Sequence, residues 1–265
     1  MLELIVVPYD TGRRSHRMGC GPEYLLASGL VEQLETAGLS ARVATLETSG
    51  DALHAAFDLA RQIASATSAA VQSGRFPIIL AGNCLATLGA FAGLGSSAAV
   101  LWLDAHADFN TPDTSPSGFL DGMALAIITG RCCRGESAHV SGFHPLPDEE
   151  LIMLGVRSVD AGEQPIVDGI AVVRTKDELG RALHNLKRDD LYLHVDLDVF
   201  DPTSLRANQF ATDGGWTTAE VLAGIGEAAR RKRITALAIT AYDPQVDEVN
   251  AAPAIVLSII REACA

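Results

Sequence analysis

Residues 98–110 read "AAVLWLDAHADFN". The run Ala98–Leu103 is apolar throughout and leads directly into Asp104, His106 and Asp108. An apolar run of strand length without alternation fits a strand buried on both faces, as in a parallel sheet covered by helices. In an extended chain the i, i+2 and i+4 positions share one face, so Asp104, His106 and Asp108 can converge. A second stretch, "LYLHVDLDVFDP" (Leu191–Pro202), repeats the arrangement, with Leu191–Val195 followed by Asp196 and Asp198. Four carboxylates and one imidazole at the mouths of two buried strands are costly unless a cation neutralises them. Oxygen ligands with imidazole suit Mn²⁺ or a similar divalent ion. These side chains exceed the needs of one ion, which points to a pair about 3.5–4 Å apart sharing an activated water.

The rest of the chain repeats the strand pattern. Further apolar runs stand at Leu2–Val7, Ala41–Leu46, Phe76–Ala81, Leu151–Leu154, Ile170–Val173 and Thr235–Thr240. Between them lie segments of helical period, among them Asp51–Gln72, Thr175–Leu186, Thr217–Arg231 and Ala252–Cys264. Regular alternation predicts an α/β fold of three layers, and the absence of a linker or composition shift predicts a single domain over residues 1–265. In such sheets ligands bind beyond the carboxyl ends of the strands.

Composition narrows the function. A net charge of −13 and a pI near 4.9 set the surface against nucleic acid and anionic membranes. The opening "MLELIVVPYD" is too short and too acidic for a signal peptide or a membrane span. Five cysteines without framework spacing fit a reducing, cytoplasmic setting.

The motifs "DAHAD" (Asp104–Asp108) and "DLDVFDP" (Asp196–Pro202) resemble the ureohydrolase superfamily of arginase, agmatinase and formiminoglutamase. Weaker echoes at "MGCGPEYLL" (Met18–Leu26) and "DGGW" (Asp213–Trp216) extend the likeness over nearly the whole chain. The resemblance implies an arginase-like αβα fold with an eight-stranded, mainly parallel sheet. It also implies a dinuclear manganese centre whose bridging hydroxide attacks a guanidino or related carbon. By it, Asp104 and Asp196 would bridge the ions, Asp108 would serve one, and His106 and Asp198 the other. "DFNTPDTSPSGFLDGM" resembles the arginase loop that holds a substrate α-carboxylate, which places Asn110, Ser115 and Ser117 in that role. "GVRSVDAGE" (Gly155–Glu163) resembles the segment that receives the α-amino group, through Asp160 and Glu163. Together these imply a small amino-acid substrate. Relatives are often trimers or hexamers, so a homo-oligomer is one expectation.

Three departures bear on the reaction. Where the family has Gly-Gly-Asp-His after a strand, this chain has Ala81-Gly82-Asn83-Cys84, making Cys84 the expected metal ligand. A thiolate can replace imidazole, and its softness admits Fe, Co or Zn besides manganese. Where arginases carry a proton-shuttling histidine, this chain has Asp121, and either Asp121 or Asp108 would protonate the leaving amine. The acid that grips the guanidinium aligns with Ala241. A subgroup that cleaves N-hydroxyarginine to ornithine and hydroxyurea also has Cys in a similar context, and it is the closest in motif. The expected activity is therefore hydrolysis of a linear C–N bond in arginine, N-hydroxyarginine or a related α-amino-acid derivative. The alternatives are a non-guanidino C–N substrate, or a retired member that binds metal or amino acid as a sensor. His194 shares the phase of Asp196 and reads as a core or supporting histidine, because the ligand set implied by the resemblance is complete without it.

Overall fold

The computed structural model describes the backbone of residues 1–265 and every side chain except that of Lys176. The eight apolar runs all form strands: β1 (Leu2–Val7), β2 (Ala41–Thr45), β3 (Phe76–Ala81), β4 (Ala99–Leu103), β5 (Leu151–Leu154), β6 (Ala171–Val173), β7 (Asp190–Asp196) and β8 (Arg233–Thr240). They form one eight-stranded sheet in the order β2-β1-β3-β8-β7-β4-β5-β6, with every pairing parallel. This is the arginase-like sheet the motifs imply. The order places β3, β8, β7, β4 and β5 side by side, so segments far apart in sequence open at one edge of the sheet.

Helices cover both faces because alternate strand residues point to opposite sides, and both sides are apolar. On one face Ile79, Val100, Trp102, Met153 and Tyr192 pack against α3 (Ala52–Gln72), α4 (Ala86–Gly93) and α5 (Ala124–Ile128). On the other, Leu80, Leu101, Leu154, Leu193 and Ile239 pack against α1 (Gly21–Ala27), α2 (Leu30–Thr36), α6 (Lys176–Asn185), α7 (Thr218–Arg231) and α8 (Ala252–Ala263). Local chemistry sets the helix starts. Asp51 accepts from His54 N to open α3, while Thr175 with Glu178 and Thr217 with Glu220 form capping boxes on α6 and α7. The segment "MGCGPEYLL" is a 3₁₀ turn (Arg17–Cys20) running into α1, with Pro22 at the helix start where a missing N–H costs nothing. No helix among the described residues is long and apolar enough to cross a membrane.

Helices α3 and α4 pack closely at Gly89. A Cβ on Gly89 would stand 2.4 Å from the Ala60 carbonyl oxygen and 2.6 Å from Ile63 Cβ, so only glycine fits there. Gly89→Ala should therefore destabilise by about 1–3 kcal/mol in urea unfolding. Gly135→Ala, where an added Cβ meets nothing within 4 Å, should leave stability unchanged or raise it slightly. Equal effects from the two would show that the α3–α4 contact is not close-packed.

Candidate metal centre and substrate pocket

The carboxyl ends of β3, β4, β7 and β8 meet at a cavity of about 230 Å³ lined by Cys84, Asp104, His106, Asp108, Asp196, Asp198 and Ala241. All six ligands expected from the sequence reach this one place. Each carboxylate is fixed by local backbone. Asp104 accepts from its own i+2 amide, His106 N, at 2.6 Å and from the Trp102 indole N–H at 3.0 Å. Asp196 accepts from Asp198 N at 2.8 Å, and Asp198 accepts from Ala105 N at 3.1 Å across the β4–β7 boundary. His106 Nδ1 lies 3.2 Å from Asp198 and 3.5 Å from Asp104. Asp108 takes a left-handed conformation (φ 52°), which aims its carbonyl at the Leu125 and Ala126 amides that open α5. The Cys84 thiol donates to Asp196 Oδ2 at 2.9 Å and shares a 3.2 Å hydrogen bond with Thr240.

This donor set fits a divalent pair. Burial and the nearby Asp198 push Asp104 up to about 6, and burial with neighbouring carboxylates pushes Asp108 and Asp196 up as well. Burial would raise Asp198 too, but the hydrogen bond from His106 brings it down to about 2. Although burial opposes charge on the imidazole, Asp104 and Asp198 raise His106 to about 12. Desolvated carboxylates facing one another are stable as anions only beside cations, and one imidazole is the cation the protein itself supplies. Ligand atoms of Asp104, His106 and Asp198 lie within 4.8 Å of one another, as do those of Cys84, Asp104 and His194.

The expected substrate contacts line the same cavity. Asn110 Nδ2 donates to Asp160 at 2.8 Å, joining the loop after β4 to the loop after β5. Glu163 accepts from Phe109 N and Asp160 N, one through each oxygen, both at 2.8 Å. Glu163 thus braces two loops, and Asp160, which is exposed, is the acid open to a ligand. Ser115 and Ser117 accept from Gly118 N and Phe119 N, which leaves both hydroxyls able to donate. Asp121 does not cap the helix that follows it. Its carboxylate accepts from Leu85 N at 3.1 Å and from Asn83 Nδ2 at 3.0 Å, tying it to the segment that carries Cys84. Burial pushes it up to about 7 against those two hydrogen bonds.

Sequence reasoning missed several residues. Met18, Phe119, Phe210 and Asn208 line the wall beside Ala241. Arg157 donates to the carbonyls of Gly155, Asp198, Val199, Phe200 and Thr212, holding the loops after β5 and β7 as one body. The "DGGW" segment makes a tight turn whose Gly214 and Gly215 amides donate to Asp201. His194 is fully buried and stacks on Trp102, its cross-strand neighbour, at 3.6 Å between ring centres. Burial holds its imidazole far below the usual range. The phase of His194 was visible in the sequence, but the partners of these residues lie on other strands.

Comparison with known proteins agrees with the geometry. A family model described as "Arginase family" matches residues 2–265. The arginase of Bacillus caldovelox is 28% identical over 98% of this chain and 96% of its own. Its solved structure superposes with a TM-score of 0.88 at 27% identity, covering 99% of this chain and 97% of that one. The N(omega)-hydroxy-L-arginine amidinohydrolase of Streptomyces lavendulae is 28% identical over 76% of this chain and 74% of its own.

Asp121 yields a pH prediction. Its carboxyl rises from an ordinary 3.8 to about 7 on folding, so the native state keeps a proton that the unfolded chain releases. Its contribution to stability is complete below about pH 4 and lost as pH rises through about 7. In chelator-treated protein, the melting temperature of Asp121→Asn should fall less than that of the wild type across this window. Parallel curves would show that Asp121 is not the titrating group.

Proposed function

This chain belongs to the arginase family, and from that premise we propose that it hydrolyses a guanidino or amidino C–N bond in an α-amino-acid derivative less basic than arginine, of the N-hydroxyarginine type. The observation that carries the reading is one cavity whose lining combines three chemically distinct groups of residues. Its floor is the ligand set Cys84, Asp104, His106, Asp108, Asp196 and Asp198. Asn110, Ser115, Ser117 and Asp160 form a polar part of the lining, and Ala241, Met18, Phe119 and Phe210 form an apolar part.

The hydroxyls of Ser115 and Ser117 and the Asn110 amide would receive the substrate carboxylate, and Asp160 its α-ammonium. Glu163 would keep both loops in register for that contact. The six floor residues would hold two Mn²⁺ ions, with Fe, Co or Zn admitted by the sulfur of Cys84. When bound, such a pair supplies a nucleophilic hydroxide at neutral pH and Lewis acidity at the attacked carbon. Asp121 would hold the proton delivered to the departing amine, because a carboxyl near 7 can carry and release one at neutral pH. Asp108 would then be left to its role as a ligand.

The apolar wall separates this reading from plain arginase activity. A guanidinium brought against Ala241, Met18, Phe119 and Phe210 would lose water without gaining a counter-ion, which is unfavourable. The same wall supports a second reading, a C–N substrate with no guanidinium. Product assays on metal-loaded protein should show ornithine released faster from N-hydroxyarginine than from arginine. Ala241→Glu should shift the kcat/KM ratio toward arginine by roughly tenfold, about 1.4 kcal/mol. Failure to turn over any guanidino or amidino compound with both metals bound would sink the proposal.

A further inference from the structure

Beneath the ligand floor lies a buried line of hydrogen bonds that the proposed reaction does not use. Tyr192 OH and Thr87 Oγ1 are 3.0 Å apart, and Thr87 Oγ1 and His194 Nδ1 are 2.7 Å apart. His194 Nε2 and Thr240 Oγ1 are 3.2 Å apart, and Thr240 Oγ1 and Cys84 Sγ are again 3.2 Å apart. All five residues are buried, His194 completely, and its ring is held parallel to Trp102 within 2°. Three elements build the line. Thr87 comes from the first turn of α4, Tyr192 and His194 from one face of β7, and Thr240 from the end of β8, paired in register with Asp196.

We propose that Tyr192, Thr87, His194 and Thr240 form a one-way relay of hydrogen-bond donors aimed at the Cys84 sulfur, with Thr240 and His194 as positioning residues for that ligand. The inference rests on the reading of Cys84 as a metal ligand, and the direction then follows from counting hydrogens. A metal-bound thiolate has no hydrogen and can only accept, so the Thr240 hydroxyl donates to it. The Thr240 oxygen then accepts, which requires the hydrogen of a neutral imidazole to sit on His194 Nε2. Nδ1 is left as an acceptor, so Thr87 donates to it and Tyr192 donates to Thr87. Every buried polar atom in the line is satisfied in this arrangement. A hydrogen bond into a thiolate draws charge off the sulfur. That brings the anionic Cys84 closer to the neutral imidazole the family carries at this position, and keeps a metal beside it electrophilic.

Cobalt(II)-loaded protein tests this without reference to turnover, through the sulfur-to-cobalt charge-transfer band in the near ultraviolet. Thr240→Val removes the donor at nearly constant volume. It should move the band to longer wavelength and weaken cobalt binding by roughly 10–100-fold, the usual effect of losing an outer partner of a ligand. Thr240→Ser should restore both. Nitrogen-15 NMR of the wild type should place the His194 hydrogen on Nε2. A sulfur band present but unmoved in Thr240→Val, or a hydrogen on Nδ1 in the loaded protein, would overturn the relay while leaving Cys84 a ligand. No sulfur band in the wild type would overturn Cys84 as a ligand, and the relay with it. Loss of a whole metal equivalent in His194→Gln would make the histidine itself a ligand and overturn the relay.

Discussion

Mutual repulsion among buried carboxylates governs the central part of this molecule. Asp104, Asp108, Asp196 and Asp198 are all nearly inaccessible to water and converge on one cavity. Taking such groups out of water is expensive, and placing them side by side adds to the cost. The fold meets part of that cost with oriented N–H donors, from His106, Ala105, Asp198 and the Trp102 indole, and with the one imidazole of His106. Protons on the raised carboxyls, or cations in the cavity, would meet the rest. The parallel sheet makes this possible, since it delivers several strand ends to one edge and offers their backbone amides to the acids.

Around that floor, charged and polar side chains divide into those that build and those that remain open. Glu163 resembles a substrate acid in sequence, but both of its oxygens are engaged with backbone amides. Asp160 keeps an exposed carboxylate within the same loop. Asn83 links the buried Asp121 to the segment bearing Cys84, so both side chains are set by one short stretch of chain. Ala241 holds a left-handed backbone (φ 60°) while its carbonyl accepts from Asn208. That conformation costs an alanine about 1–2 kcal/mol. The Asn208 hydrogen bond is one restraint that holds the backbone there against that cost.

Much of this was legible before any coordinates. The central strands announced themselves because they are apolar on both faces, and the candidate aspartates and His106 because they follow two of those strands in alternating phase. Helical period marked Thr175–Leu186 and Thr217–Arg231, which hold α6 and α7. Other features were hidden for a common reason. Thr240 matters because β8 lies beside β7 with Asp196 opposite it, a pairing between segments that local pattern cannot specify. Arg157 reads as an ordinary charge near a glycine, and its five carbonyl partners come from three stretches of chain. The difference between Asp160 and Glu163 depends on which amides happen to be near, not on spacing. Periodicity reports which face a residue occupies, while its role depends on neighbours brought by topology.

Arg157 has one further consequence. Its guanidinium stays charged at any pH the protein survives, and its partners are main-chain oxygens, which do not titrate. The fastening between the loops after β5 and β7 is therefore indifferent to acidity and to occupancy of the floor. Under the proposed reading, a floor without ions would keep its backbone frame through these bonds.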